Sequence, residues 1–393
     1  MTTRIVPTTC TMDCPDTCAL EVAVEDGRIR SIQGGRDHPT TQGFICDKVA
    51  QFHRRVYHPD RVLHPLRRNG PKGAGKFVRI SWEEAIAEIT ARFRRITERW
   101  GGEAILPYHY GGSNGLLGEG FLDDFYFAKL GASRLAKTLC AAPSGAVAQG
   151  MYGKMPGVAL EDYRHAQFIL LWGVNPKVSS IHLVPFVRQA KRAGAFVAVI
   201  DPSRNFSARE ADLHLPVFPG ADLPVALAMI RLWKQAGQLD REFLRKHADG
   251  LEPLLQQAEA WPLERAAAQA RVPPEDIHHL AQAYAGATPA VVRCGWGLER
   301  NRNGGQAIAV ILAMPALLGK FGLRGGGYTM SNSGAAPLDA ARLLGQPPWQ
   351  TRVINMTRLG EVLNGELKPP VKGLFVYNCN PAVTVPDQNA VLR

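Results

Sequence analysis

Apolar and polar residues alternate early in the chain. Ala19-Leu-Glu-Val-Ala-Val-Glu25 is followed by Asp26-Gly27 and then Arg-Ile-Arg-Ser-Ile32, a pattern that predicts two half-buried strands joined by a tight hairpin turn. Further on, Ser81-x-x-Glu84 has the form of a capping box and predicts the start of an amphipathic helix carrying Ala85, Ile86, Ile89 and Phe93 on one side. From there the pattern changes to short, continuous apolar runs ended by Gly, Asn, Asp or Pro: Phe168–Trp172, Phe196–Ile200, 289–294 and 373–377. Runs of this length predict buried strands of a parallel sheet. Helical stretches at about 182–193 and 306–319 lie between them. The fold class expected is therefore α/β, with a small β-rich region at the N-terminus. The strands at 289–294 and 373–377 are expected to return to an earlier sheet, so that one α/β domain is inserted into another. The boundaries expected are 1–60, then 61–139 plus 286–393, with 140–285 inserted.

Composition narrows the class without naming a function. The chain has 393 residues, 46% apolar and 21% charged, with 39 Gly and 28 Pro. That Gly and Pro content is below the roughly 25–30% of low-complexity chains, which excludes collagen-like and disordered classes. The longest apolar stretch, Ala307 to Gly319, carries Pro315 and is too short to span a bilayer core of about 30 Å. The N-terminus has no apolar leader segment and no twin arginine before the first cysteine, so a soluble, cytoplasmic protein is expected. The net charge of +11 admits three readings: a solvated basic surface, a nucleic-acid partner, or neutralisation of a polyanionic cofactor. The basic residues are scattered in short pairs such as Arg54-Arg55 and Arg94-Arg95, with no nucleic-acid-binding signature beside them.

The seven cysteines are more specific. Cys10, Cys14 and Cys18 form C-x3-C-x3-C, and Cys46 follows after the predicted hairpin. Three thiolates within nine residues can wrap one face of a compact cluster, and the hairpin returns the chain so that a fourth can close it. This arrangement suits four-cysteine ligation of a [4Fe-4S] cluster. Zinc is the competitor, but its four-cysteine sites favour paired C-x2-4-C knuckles. An odd count argues against a disulfide framework. Lys48, two residues after Cys46, falls beside this centre.

Taken in order, these motifs resemble a known family. The Cys10/Cys14/Cys18 run, the hairpin, Gly43-Phe-x-Cys46-x-Lys48, Tyr57-His-Pro59-Asp60-Arg61-Val-Leu-His-Pro65-Leu-x-Arg68 and Ile80-Ser-Trp-Glu-Glu-Ala85 together resemble the molybdopterin oxidoreductases, closest in pattern to the formate dehydrogenase and nitrate reductase branch. The resemblance implies a molybdenum or tungsten ion held by two pyranopterin guanine dinucleotides, and one [4Fe-4S] cluster. Cys140, in Leu139-Cys-Ala-Ala-Pro143-Ser144, is similar to the family's metal-ligating position. The histidine that formate dehydrogenases carry next is Ala141 here, which disfavours formate.

The resemblance also implies the dinucleotide contacts. They fall at Gly173 and Asn175 after the first strand, at Asp201 and Arg204 after the second, at Gly220 and Asp222, at Gly295 and Gly297, and at Asn378 and Asn380. Each strand–turn segment alone reads as ordinary α/β structure, and no G-x-G-x-x-G fingerprint accompanies them. The 374–381 segment resembles 168–176, which fits two similar ligands on two related domains. Residues 334–370 show little periodicity and are expected to line a funnel to the metal.

The function expected is a catalytic subunit performing two-electron redox or oxygen-atom transfer on a small molecule. Electrons would be relayed through Lys48 and the cluster to a ferredoxin, flavoprotein or iron–sulfur subunit. Two alternatives keep the fold: an electron-transfer or scaffold subunit without molybdenum, and a non-redox hydratase or transhydroxylase. The family's C-terminal barrel has no counterpart here, so the expectation includes a truncated or split form with a separate C-terminal portion.

Overall fold

The computed structural model describes residues 3–111, 119–332, 345–365 and 367–393, with 335 and 342. The expected alternation at the N-terminus gives a three-stranded antiparallel meander, β1 (Arg4–Thr9), β2 (Ala19–Glu25) and β3 (Arg28–Gly34). Asp26 and Gly27 both take positive φ at the turn, 50° and 74°, as a tight hairpin requires. Leu20 of β2 packs against Val49 and the cysteines, and Val22 on the same face is also buried, so this small lobe has an apolar core of its own beside the candidate centre.

A short ribbon, β4 (Leu66–Arg68) and β5 (Phe77–Arg79), leads to the helix Trp82–Trp100. The capping box forms: Glu84 N–H donates to Ser81 Oγ at 3.1 Å, and Ser81 N–H donates to Glu84 Oε2 at 2.8 Å. Of the apolar side of this helix, Phe93 and Ile96 pack inward, whereas Ile86 and Ile89 stay exposed. Next come β6 (Ile105–His109) and β7 (Arg134–Ala136), then the helix Ala142–Tyr152.

The centre of the molecule is a five-stranded parallel sheet. Its strands are β8 (Phe168–Trp172), β9 (Phe196–Ile200), β10 (Leu213–Leu215), β11 (Ala290–Cys294) and β12 (Gly327–Thr329), in the spatial order β10-β9-β8-β11-β12. Both faces are covered, which is why the strands read as continuous apolar runs. Phe168, Leu170 and Trp172 point into one core with the helices Asp222–Gln235 and Gly304–Leu317. Ile169 and Leu171 point into the other, with the helix Leu183–Arg192.

Two further strands, β13 (Val353–Asn355) and β14 (Gly373–Tyr377), pair parallel with β7 and β6 respectively. The strand at 373–377 therefore returns to the earlier material, as expected. The strand at 289–294 does not: β11 runs parallel to β8 through all five residues and takes β12 on its other side. An inserted unit ending at 285 would omit two strands of its own sheet. The long helical segment between β10 and β11 hid this, because sequence order says nothing about which sheet a returning strand joins. Of the expected funnel segment 334–370, residues 334, 336–341, 343, 344 and 366 lie outside the described residues.

Candidate metal and dinucleotide centre

The sheet order puts a topological switch between β8 and β11. From β8 the chain goes outward to β9 and β10, then crosses back to β11 on the opposite side. Ligands of open α/β sheets settle in the crevice at the carboxyl ends of strands flanking such a point. Here Gly173 follows β8 and Gly295 follows β11, and the two backbones touch. Gly295 N–H donates to Trp172 O at 2.8 Å, and a Cβ on Gly295 would lie 2.1 Å from Gly173 O. A Cβ on Gly297 would lie 3.0 Å from the same oxygen, so only hydrogen fits comfortably at this wall.

A cavity of about 290 Å³ opens there. The cysteine loop roofs it with Cys10, Cys14, Cys18 and Cys46, while Gly173, Asn175, Gly295 and Gly297 form its floor. The loop is drawn together by Cys10 N–H donating to Cys18 O at 2.9 Å, and Cys46 ends the loop that leads into the helical turn Asp47–Ala50. All four thiols are free. Burial raises the Cys10 and Cys14 thiols, the latter up to about 11, so without a bound cation they stay protonated.

The spacing of the thiols can be compared with what a single zinc ion requires. Tetrahedral zinc with Zn–S of about 2.3 Å needs sulfurs roughly 3.8 Å apart. Among the described residues no three cysteine sulfurs come within 4.8 Å of one another, and the sole potential ligand group that compact is His109, Asp123 and Asp124, elsewhere.

Lys48 lines the same cavity, its ammonium donating to Val178 O at 3.3 Å and thereby bridging the cysteine loop and the turn after β8. Arg293, at the carboxyl end of β11, also lines it while only 4% exposed. Its guanidinium donates to the carbonyls of Cys294, Thr329 and Met330, but among the described residues Nε has no partner and no carboxylate pairs with it. Asn175 Oδ1 is a second buried polar atom without a partner at this wall. The Arg293 Nε–H fits an anionic or other acceptor group of a ligand, and Asn175 Oδ1 fits a ligand donor.

Cys140 lies just before the helix Ala142–Tyr152. Arg300, from the turn Trp296–Arg300, anchors its backbone by donating to Leu139 O at 2.5 Å and Cys140 O at 3.1 Å. Burial raises its thiol, with the Asp13 carboxylate adding to the effect. Tyr110 hydrogen-bonds it, and burial together with that thiol pushes the Tyr110 phenol up to about 12. Asp13 also lines the cavity, so Cys140 and the cysteine loop share a neighbour. Ser144 donates to Glu299, which binds the start of this helix to the β11 turn.

The other expected contacts are dispersed. Gly220 O accepts from Asn303 Nδ2 at 3.1 Å, so the third and fourth cradles adjoin. Asp222 is 8% exposed and accepts from Trp172 Nε1 at 2.8 Å, so at least one carboxylate oxygen is already engaged by the protein. Asp201 caps its own turn by accepting from Ser203 N–H at 2.8 Å, and Arg204 is exposed. Asn378, with φ of 54°, and Asn380 follow β14, at the carboxyl end of the other sheet and away from the cavity.

Sequence reasoning missed Asp13, Tyr110, Arg293, Arg300 and the pair Asp16–His182. His182 Nδ1 lies 2.8 Å from Asp16 Oδ2, a buried contact, and Nε2 lies 2.9 Å from Phe44 O, a part-buried one. Burial opposes the charged ring, but these bonds and the one to Cys18 carry its pKa up to about 10. Only Asp16 and Asp13 had a signal, being acids inside the cysteine run.

Fold and site thus define an α/β protein with a four-cysteine centre above the switch point of a parallel sheet. Residues 61–393 match the molybdopterin oxidoreductase model and residues 3–58 the molybdopterin oxidoreductase Fe4S4 domain, and the chain belongs to that family. The two models imply a molybdenum- or tungsten-pterin and a [4Fe-4S] cluster; the cavity's four cysteines suit the cluster in donor type, and Lys48 and Arg293 beside them suit an anionic group in charge. Similar proteins include the probable oxidoreductase YoaE of Bacillus subtilis, 34% identical over 98% of this chain and 57% of that protein. The assimilatory nitrate reductase catalytic subunit of the same organism is 26% identical, over 98% and 57% respectively. The dimethyl sulfoxide reductase DmsA of Haemophilus influenzae is 28% identical, over 96% and 53%. The chain thus spans a little over half the length of these relatives. Acetylene hydratase from Pelobacter acetylenicus superimposes with a TM-score of 0.83 at 21% identity, over 98% of this chain and 58% of that one, which establishes the fold alone.

Proposed function

We propose that the chain forms part of the catalytic portion of a molybdopterin-dependent oxidoreductase, in which Cys10, Cys14, Cys18 and Cys46 hold a [4Fe-4S] cluster and Cys140 ligates molybdenum or tungsten. The observation that carries this reading is the shared cavity: four free thiols lie across from a glycine floor and a buried Arg293 whose Nε has no partner among the described residues. The bound pterin metal would supply two-electron or oxygen-atom transfer. The chain's own residues supply the rest. Gly173, Gly295 and Gly297 let the backbone approach a ligand closely, and Arg293 neutralises an anionic group against that floor. Lys48 ties the cysteine loop to the turn after β8, where it lies between the cluster ligands and the dinucleotide cradle. Arg300 fixes the Cys140 backbone, while Tyr110 directs its hydroxyl at the sulfur. Asp201, Arg204, Gly220, Asp222, Asn378 and Asn380 belong to the same reading as dinucleotide contacts, the last two on the second sheet.

The substrate is a small molecule, and an electron-transfer protein takes part. No helix among the described residues is long and apolar enough to cross a membrane.

Metal and nucleotide analysis of the anaerobically purified chain tests the proposal. The expected result is about four Fe per chain, as one cube holds, with molybdenum or tungsten and guanine nucleotide released by acid. Iron without either metal or nucleotide would favour the scaffold alternative. Turnover that needs no electron acceptor would favour the hydratase alternative.

A further inference from the structure

His182 stands where the α/β unit meets the cysteine loop, immediately before the helix Leu183–Arg192. Its backbone N–H donates to Asp16 Oδ2 at 3.1 Å, and Nδ1 lies 2.8 Å from the same oxygen. Nε2 lies 2.9 Å from the carbonyl oxygen of Phe44, whose ring packs on the imidazole at 4.3 Å between centroids. Nδ1 also lies 3.7 Å from Cys18 Sγ. The side chains of His182 and Asp16 are 0% and 1% exposed.

These partners are spread across the cysteine set. Asp16 lies midway between Cys14 and Cys18, and Phe44 lies two residues before Cys46. One side chain, 164 residues beyond Cys18, therefore grips both arms of the loop. Both ring nitrogens face acceptors, so each presents an N–H, and the one on Nδ1 is directed toward the carboxylate and the sulfur together. Hydrogen bonds to ligand sulfurs and charge beside them are the protein's levers on cluster potential. An N–H toward a thiolate withdraws electron density and stabilises the cluster after it accepts an electron.

We propose that His182 is a positioning residue for the iron–sulfur centre: it holds the Cys18 and Cys46 arms in place and raises the cluster's midpoint potential through its N–H toward Cys18. The inference rests on the four-cysteine reading above. A purely structural histidine would affect iron content but leave the potential of any cluster that forms unchanged.

The test is a redox titration of the full chain, wild type against His182→Phe and His182→Gln, followed by EPR of the reduced cluster with iron counted in each sample. Phe keeps the ring stack on Phe44 but has no N–H, whereas Gln keeps a donor. The expected result is a lower midpoint in His182→Phe, with His182→Gln between it and wild type. Loss of iron in His182→Phe alone, with His182→Gln retaining a cluster of lowered potential, supports the proposal equally. A wild-type midpoint in His182→Phe at full iron content overturns it, as does equal loss of iron from both variants. If wild type itself binds no four-iron cluster, the four-cysteine reading fails and His182's role with it. An unchanged midpoint in an intact cluster removes only the role of His182.

Discussion

Replacing Gly295 by alanine tests whether the contact between β8 and β11 holds the cavity floor. Its φ of −111° and ψ of 168° are extended and suit alanine, so backbone strain is not at issue. The cost is steric. A Cβ there would lie 2.1 Å from Gly173 O and 2.7 Å from both Gly173 C and Val174 Cβ, whereas comfortable contact begins at roughly 3.5 Å. Backbone, not a flexible side chain, must give way, and Gly295 N–H is bonded to Trp172 O at 2.8 Å across the same junction. Overpacking of this kind costs about 1–3 kcal/mol, and the weakened hydrogen bond about 1 more. The sum, roughly 2–4 kcal/mol, corresponds to a Tm lower by about 4–16 °C for a cooperative unit of about 150–250 residues. Gly305→Ala is the control. Its Cβ would meet nothing nearer than 3.8 Å at the start of the helix Gly304–Leu317, so its stability should match wild type or exceed it by up to about 1 kcal/mol. Differential scanning calorimetry of the three proteins reads the result. A Gly295→Ala Tm within about 2 °C of wild type, below the expected range, would refute the steric account.

Cys140→Ala should abolish turnover while leaving iron content intact, and full activity in that variant would end its assignment as the ligand. Burial pushes the Asp222 carboxyl above its ordinary 3.8, against the hydrogen bond from Trp172. Its stabilising contribution is therefore complete below 3.8 and is lost as pH rises through the folded value. Asn at this position still accepts from Trp172 but has nothing to ionise. Urea melts should accordingly show wild type losing stability relative to Asp222→Asn between acid and neutral pH, and a pH-independent difference would contradict this. Ser81→Ala removes one half of the capping box and should cost about 1 kcal/mol in a urea melt; an unchanged midpoint would mean that the helix start is held by packing alone.

Local patterns along the chain were enough to read its elements and the type of chemistry. Period-two alternation around Asp26-Gly27, the capping box at Ser81 and the apolar runs at 168–172 and 196–200 are local signals, set by backbone sterics and hydrogen bonding within a few residues. The cysteine spacing is also local for Cys10, Cys14 and Cys18, which is why an iron–sulfur site could be read before any fold was known. Tertiary structure decided which strand joined which sheet. The run at 290–294 reads the same whether it pairs with β6 or β8, because a strand buried on both faces carries no register mark of its own. Tertiary structure likewise supplied Arg293, Tyr110 and His182. Each is a single residue brought to the site from far along the chain, and its role comes from an orphaned Nε, a hydroxyl at a thiol or a ring between two acceptors. Such roles depend on distance and burial, which no periodicity encodes.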